Sequence, residues 1–186
     1  EAWASQRILG WSAARLEHYH KTVTNRRQGA SQPAAVVSQL LQPGYIASAL
    51  TSKTRASVMR TMVTLAEESG LVASPDDLLS RVEERERICA TALEGGVALL
   101  HPVVHDPHLF LESMIFLGRT IQAIPFGAPD GSVTDLFFLV CCRDSRLHLH
   151  VLARLCMMSL QTDLLAALRA APDAAAMKMC WPSTQP

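Results

Sequence analysis

The apolar positions change period several times along the chain. Between Ser52 and Ser69, Val58, Met62, Leu65 and Ala66 share one face of a helix that Ser52 would cap and Gly70 would stop. Ser74-Pro75-Asp76-Asp77 predicts a second helix, with Ser at the N-cap, Pro at the first helical position and a carboxylate two residues on. That helix carries Leu78, Leu79 and Val82 and then the charged run Glu83 to Arg87. After Gly95-Gly96, a pair that predicts a tight turn, Val97 to Leu100 forms a short apolar run that reads as a buried strand. Residues 113–118 and 136–142 predict two more strands, with Pro129-Asp130-Gly131 as a turn between them. Ser145 would cap a helix that turns Val151, Leu152, Leu155 and Met158 inward, and Asp163 would open another that stops before Pro172. The tail from Trp181 reads as irregular. Strands that alternate with helices predict an α/β fold: a mixed β-sheet flanked by helices.

The amino-terminal end has a different character. Trp3, Ile8, Trp11, Leu16 and Tyr19 are the large apolar members of a stretch with helical composition. Asn25 to Pro33 is polar and turn-rich, and reads as a linker. The expected organisation is a helical extension and linker over residues 1–33, then one domain over 34–186.

Composition narrows the function classes. Of 186 residues, 49% are hydrophobic and 18% charged, which is globular and excludes a disordered chain. Lys+Arg and Asp+Glu both number 17, which removes any global electrostatic case for nucleic acid or an anionic membrane. The longest apolar run, Leu136 to Cys142, is far short of the about 20 residues a bilayer span needs, so no membrane insertion is expected. The 5 cysteines show no CxxC spacing; Cys89, Cys141, Cys142 and Cys156 lie in apolar surroundings and read as reduced structural thiols, which suits the cytoplasm.

Candidate chemistry gathers at the histidines. His101 follows directly on the strand Val97 to Leu100, at the C-terminal edge where α/β sheets usually hold ligands. His148 falls in the first turn of the Ser145 helix, where free backbone N–H groups and the helix dipole favour an anion. The two could flank a phosphoryl group, or be separate surface and capped histidines. His101-x3-His105, with His108 close by, has the spacing of a helical metal site, but Pro102 and Pro107 break any helix there and no metal is expected. His18 and His20 read as solvent-exposed. The run Glu83-Glu84-Arg85-Glu86-Arg87 is either a solvated helix face or the source of a guanidinium that turns inward to bind phosphate. No Walker loop, GxSxG or GxGxxG is present and no cofactor is implied.

Three segments together resemble a known family. Arg85-Glu86-Arg87-Ile88-Cys89-Ala90-Thr91, continuing through Gly95-Gly96-Val97-Ala98-Leu99-Leu100-His101, is similar to the active-site segment of phosphotransferase-system (PTS) enzyme IIA domains of the mannitol/fructose and nitrogen-regulatory type. Phe126 to Leu139 resembles the family's F-x-A-x-D-G-x-x-V-D-L-V-F-L-L segment, and Leu147 to Leu155 its H-L-x-x-L-A-R-L helix. The resemblance spans about Leu40 to Ala171. It implies the PTS IIA mannitol/fructose-type fold, with His101 as the phosphorylated histidine, His148 as the second active-site histidine, Arg85 as the site arginine and Thr91 as a nearby hydroxyl. Two positions depart from the pattern: Leu100 stands where the family has Pro, and Glu94 would bring a carboxylate near the phosphoryl group.

The implied activity is that of a phosphohistidine phosphoryl carrier or regulator, loaded on His101 by a histidine phosphocarrier protein. A sugar permease component or a regulatory target protein would be the next partner. The second reading is an IIA-like interaction module of a transcriptional regulator that has kept the fold without turnover. On that reading DNA is met only through an upstream domain, in line with a weak resemblance of the helix at Glu1 to Ala4 and beyond to the closing helix of excisionase-like helix-turn-helix domains.

Overall fold

The computed structural model describes residues 33–103, 106 and 108–181. The expected amino-terminal helix, its linker up to residue 32, His18, His20, His105 and residues 182–186 lie outside the described residues. Six helices and five strands follow in the order α1 (Pro33–Leu40), β1 (Ile46–Leu50), α2 (Arg55–Glu68), α3 (Pro75–Ile88), β2 (Ala92–Leu93), β3 (Val97–Leu100), β4 (Met114–Pro125), β5 (Val133–Cys141), α4 (Ser145–Ser159), α5 (Thr162–Ala170) and α6 (Ala174–Met179). The strands form one sheet in the order β1-β4-β5-β3-β2. β1 is parallel to β4 and β3 to β5, whereas β4–β5 and β2–β3 are antiparallel. This is the mixed, helix-flanked α/β sheet that the alternation of patterns predicts.

Period-two alternation divides the core in two. Val97 and Leu99 of β3, Ile115 and Leu117 of β4, and Leu136, Phe138 and Val140 of β5 point to the face covered by α1, α4, α5 and α6. Ala98, Leu100, Met114, Phe116, Phe137 and Leu139 point to the other face, against Val58, Met62 and Val63 of α2 and Leu78 and Val82 of α3. Both faces are dry, so β3 and β5 read as unbroken apolar runs in the sequence. No single helix among the described residues is long and apolar enough to cross a membrane.

Several boundaries differ from those the sequence predicts, each for a local reason. The N-cap of α2 is Thr54, not Ser52: Thr54 and Ser57 form a reciprocal capping box, while the Ser52 hydroxyl pairs with that of Thr61 at 3.0 Å. The N-cap of α4 is Asp144, not Ser145; its carboxylate accepts the N–H of Leu147 at 2.8 Å. The cap of α3 is Ser74, as expected, accepting from the N–H of Asp77. β4 runs seven residues past Gly118, the expected end of its apolar run. Gly118 is interior to the strand, and an added Cβ there would meet Met62 Sδ at 2.5 Å and Leu50 Cδ1 at 2.6 Å. β1, α1 and α6 are unannounced by any strong pattern, and α6 is secured from outside itself: Lys178 donates to the carbonyls of Ser38 and Leu41, both at 2.6 Å.

Gly118→Ala therefore presses a methyl group between the sheet and α2. The atoms it meets are ends of flexible side chains, so the cost falls at the low end of overpacking, about 1–2 kcal/mol. Guanidinium unfolding curves of the variant and the parent chain check this value.

Candidate functional site

The strand β3 ends at Leu100, and His101 keeps the side-chain parity of Val97 and Leu99, which points to the α4 face. Its imidazole is wholly buried, and both ring nitrogens are engaged. Nδ1 lies 2.8 Å from the carbonyl oxygen of Leu99, so it carries the ring proton and donates it. Nε2 is then the unprotonated nitrogen, and it accepts a 3.0 Å bond from Nε of Arg85. His148, buried in the first half of α4, lies on the other side: the two imidazole centroids are 5.3 Å apart and tilted by 59°.

Arg85 comes from the opposite layer. It belongs to α3, whose apolar stripe faces α2 and the sheet, and it reaches past the end of the sheet to His101 with only 2% of its surface exposed. Its Nη1 donates to the carbonyl of Cys89 at 2.9 Å, which satisfies a free carbonyl at the helix end. Burial pushes the guanidinium below its ordinary value, and the neighbouring Cys89 and Glu86 act in the opposite sense. In the charged run the alternatives are therefore divided by residue: Arg85 and Glu86 turn inward, while Arg87 pairs with Glu84 on the surface.

Thr91 precedes β2 and is buried. Its backbone carbonyl accepts from Leu99 N–H at 3.1 Å, while its own N–H and hydroxyl both donate to Oε2 of Glu86, at 3.0 and 2.6 Å. The hydroxyl proton of Thr91 is thus held by Glu86. Glu86 also pairs with Arg55 at the start of α2. Sequence reasoning passed over Glu86, although a signal exists: Leu78, Val82, Arg85 and Glu86 follow at helical intervals on one buried stripe.

Three expectations about this region need correction. Glu94 is exposed in the turn at the far end of the β2–β3 hairpin, where Leu93 pairs with Val97. From Val97 to His101 the strand advances on the order of 13 Å, so the Glu94 carboxylate does not face the histidines. The start of α4 is not an open anion nest at His148: Asp144 takes the Leu147 N–H, and the His148 N–H bonds to the Asp144 carbonyl at 2.9 Å. Cys89 is exposed, whereas Cys141, Cys142 and Cys156 are buried, their thiols raised by burial, to about 12 for Cys142 and Cys156. The Gly95-Gly96 turn is as expected, with φ of +84° and +79°.

The segment that follows His101 is fastened to α3 as well. Val103 N–H bonds to the Arg81 carbonyl at 3.1 Å, and the Arg81 guanidinium bridges Asp77 and Asp106. The sheet edge, the helix and the loop after the histidine are one connected unit.

The sequence profile described as "Phosphoenolpyruvate-dependent sugar phosphotransferase system, EIIA 2" matches residues 39–179. The chain belongs to that family. As an EIIA 2 protein it is similar in structure to the nitrogen regulatory protein IIA-Ntr from Neisseria meningitidis, with a TM-score of 0.70, 22% identity, and coverage of 79% of this chain and 99% of that one. It is also similar to IIA mannitol from Escherichia coli, with a TM-score of 0.67, 16% identity, and coverage of 76% and 98%. A third similar structure is the Escherichia coli complex of enzyme IIA-mannitol with phosphorylated enzyme IIB-mannitol, with a TM-score of 0.67, 15% identity, and the same coverage of 76% and 98%. No curated protein sequence matches the chain. At these identities the likeness establishes the fold, and the family rests on the profile.

In this EIIA 2 domain the His101 ring is kept neutral. Burial lowers its proton affinity most, followed by His148 and Arg85, so it titrates well below 6.5. In the unfolded chain the same ring takes up a proton as pH falls through about 6.5. Below that value the unfolded state binds more protons, and stability falls as pH falls. This group alone contributes a slope of up to about 1.4 kcal/mol per pH unit, and none above 6.5. His101→Asn should therefore lose less stability than the parent chain between pH 6.5 and 5. Guanidinium unfolding at those two pH values decides it; equal losses would mean that the folded ring takes up its proton over the same pH range as in the unfolded chain.

Proposed function

We propose that this EIIA 2 domain accepts a phosphoryl group on Nε2 of His101 from the phosphohistidine of a phosphocarrier protein, and acts as a carrier or regulator in the phosphotransferase system. The observation that carries the reading is the two-sided hold on the imidazole. The Leu99 carbonyl keeps the proton on Nδ1, which leaves the Nε2 lone pair as the nucleophile.

Arg85 occupies that lone pair at rest, so its Nε–H must move from nitrogen to a phosphoryl oxygen before attack. As the donor N–P bond breaks, its electron pair stays with the donor ring and the new N–P bond forms on Nε2. The accepting ring gains positive charge, which the Nδ1–H···O=C bond to Leu99 stabilises. Arg85 and His148 face the charge on the transferred group from two sides, the arrangement that phosphoryl transfer needs from positioning and electrostatics. His148 is then an electrostatic partner and not the nucleophile.

A downstream acceptor of the IIB type is supported by the similar IIA-mannitol structure in complex with phosphorylated IIB-mannitol. The nitrogen regulatory neighbour supports a regulatory output equally.

Incubation with a phosphorylated histidine phosphocarrier, followed by mass spectrometry under alkaline conditions, should locate phosphate on His101. His101→Ala should lose the label and keep its fold. His148→Gln should still be labelled on His101 but pass the group on more slowly, on the order of 100-fold. Phosphate on His148 with none on His101 would reverse the roles, and a wild-type chain that takes no label would favour the non-catalytic interaction module.

A further inference from the structure

Glu86 is the one buried acid among the described residues, and the transfer outlined above gives it no part. Its side chain is 4% exposed. Oε2 accepts both the N–H and the hydroxyl of Thr91, and Oε1 pairs with the guanidinium of Arg55, which lies 5.0 Å over the Phe126 ring. A carboxylate taken out of water loses its hydration, and its partners must offset that loss. Filling the space between α3 and β2 would need only an apolar side chain, so the charge serves the bonds it makes.

Those bonds join the two halves of the site. α3 stops at Ile88, and the chain leaves it at once, with Cys89 extended at φ −162°. Two residues further, Thr91 begins to pair with β3: its carbonyl takes Leu99 N–H, and the Leu99 carbonyl takes Nδ1–H of His101. On the helix side, Glu86 is the neighbour of Arg85, whose Nε holds Nε2 of the same ring. One path from Glu86 therefore runs through Thr91 and Leu99 to the first ring nitrogen, and another through Arg85 to the second.

We propose that Glu86 is a positioning residue of the phosphoryl-accepting site. By clamping Thr91 to the last turn of α3, it holds the Leu99 carbonyl and the Arg85 guanidinium on opposite nitrogens of His101. It thereby fixes the Nδ1–H tautomer and presents Nε2 alone to a donor. The role in transfer rests on the phosphoryl-acceptor reading; the effect on the ring does not.

The test reads the ring first. The full chain, labelled with ¹⁵N-histidine and left unphosphorylated, is compared with Glu86→Gln, Thr91→Val and Thr91→Ser by long-range ¹H–¹⁵N spectra. The parent chain and Thr91→Ser, which keeps the hydroxyl, should show His101 as a single Nδ1–H tautomer. Glu86→Gln and Thr91→Val should show averaged shifts or a second tautomer. The initial rate of labelling by a phosphorylated phosphocarrier should then fall about 10- to 100-fold in Glu86→Gln, and Thr91→Ser should be labelled faster than Thr91→Val. A folded Glu86→Gln with the parent ring shifts overturns the proposal, whatever its melting temperature. If Glu86→Gln does not fold, Thr91→Val with parent shifts overturns it instead. Altered ring shifts in the variants, together with a parent chain that takes no label, would uphold Glu86 as the holder of the ring and overturn the phosphoryl-acceptor reading.

Discussion

The site depends on a single buried imidazole gripped at both ends. A neutral histidine has one donor and one acceptor nitrogen, and a fully desolvated one must satisfy both or lose free energy at each. In His101 the backbone of its own strand satisfies the donor and a guanidinium from another layer satisfies the acceptor. The Leu99 contact is made within the strand end itself, at the residue that Thr91 pairs with. The Arg85 contact spans sixteen residues and exists only if α3, the β2–β3 hairpin and the strand end are in register. Much of the architecture on that side of the sheet can be understood as what keeps those three elements together.

The sheet topology explains why the groups meet where they do. β3 is flanked by β5 in parallel and by β2 antiparallel, so its C-terminal end coincides with the end of β5 and the start of β2. The chain leaving β5 turns within three residues into α4, which carries His148 on the face that His101 also points to. The chain entering β2 comes from α3 on the other face. The end of β3 is thus the place where helices from both layers can touch one residue without passing through the sheet. A histidine two residues earlier in the strand would meet α4 alone, with the sheet between it and Arg85.

How much of this the sequence discloses varies with the range of the interaction. The α3 cap, the β3 run and the glycine turn rest on neighbours within four residues, and their patterns agree with the structure. Gly118 looked like a stop because small residues usually punctuate a strand; here its missing Cβ is the space into which Met62 and Leu50 pack, a contact that only the tertiary structure reveals. Asp144 and Ser145 are both good capping residues, and the choice between them depends on where β5 ends. Lys178 secures α6 through carbonyls about 140 residues away in sequence, so no local pattern could announce it. At the site, His101 and His148 stood out as residue types and positions. In the run Glu83 to Arg87 the family resemblance singled out Arg85, while Glu86 stayed hidden in what looks like a solvated face, because alternating charge masks the helical spacing that carries the Leu78–Val82 stripe into it.

Leu100 shows how a departure from the family pattern can leave the strand pairing intact. Leu100 is fully buried and pairs with Leu139, so at that position the strand keeps a backbone N–H and an apolar side chain for the α2–α3 face. Pro102 follows the histidine, and the helical region is disfavoured for a residue before proline, which biases it to extended backbone. His101 therefore continues the strand's direction after the strand's hydrogen bonds have ended. Continued extension preserves the alternation of faces, which is what sends the imidazole to the His148 side while its Nδ1 remains over the carbonyl two residues back. A more flexible residue at position 102 would let the histidine turn at the end of the ladder, and the bond to Leu99 would lose its geometric basis before any change at Arg85 or His148.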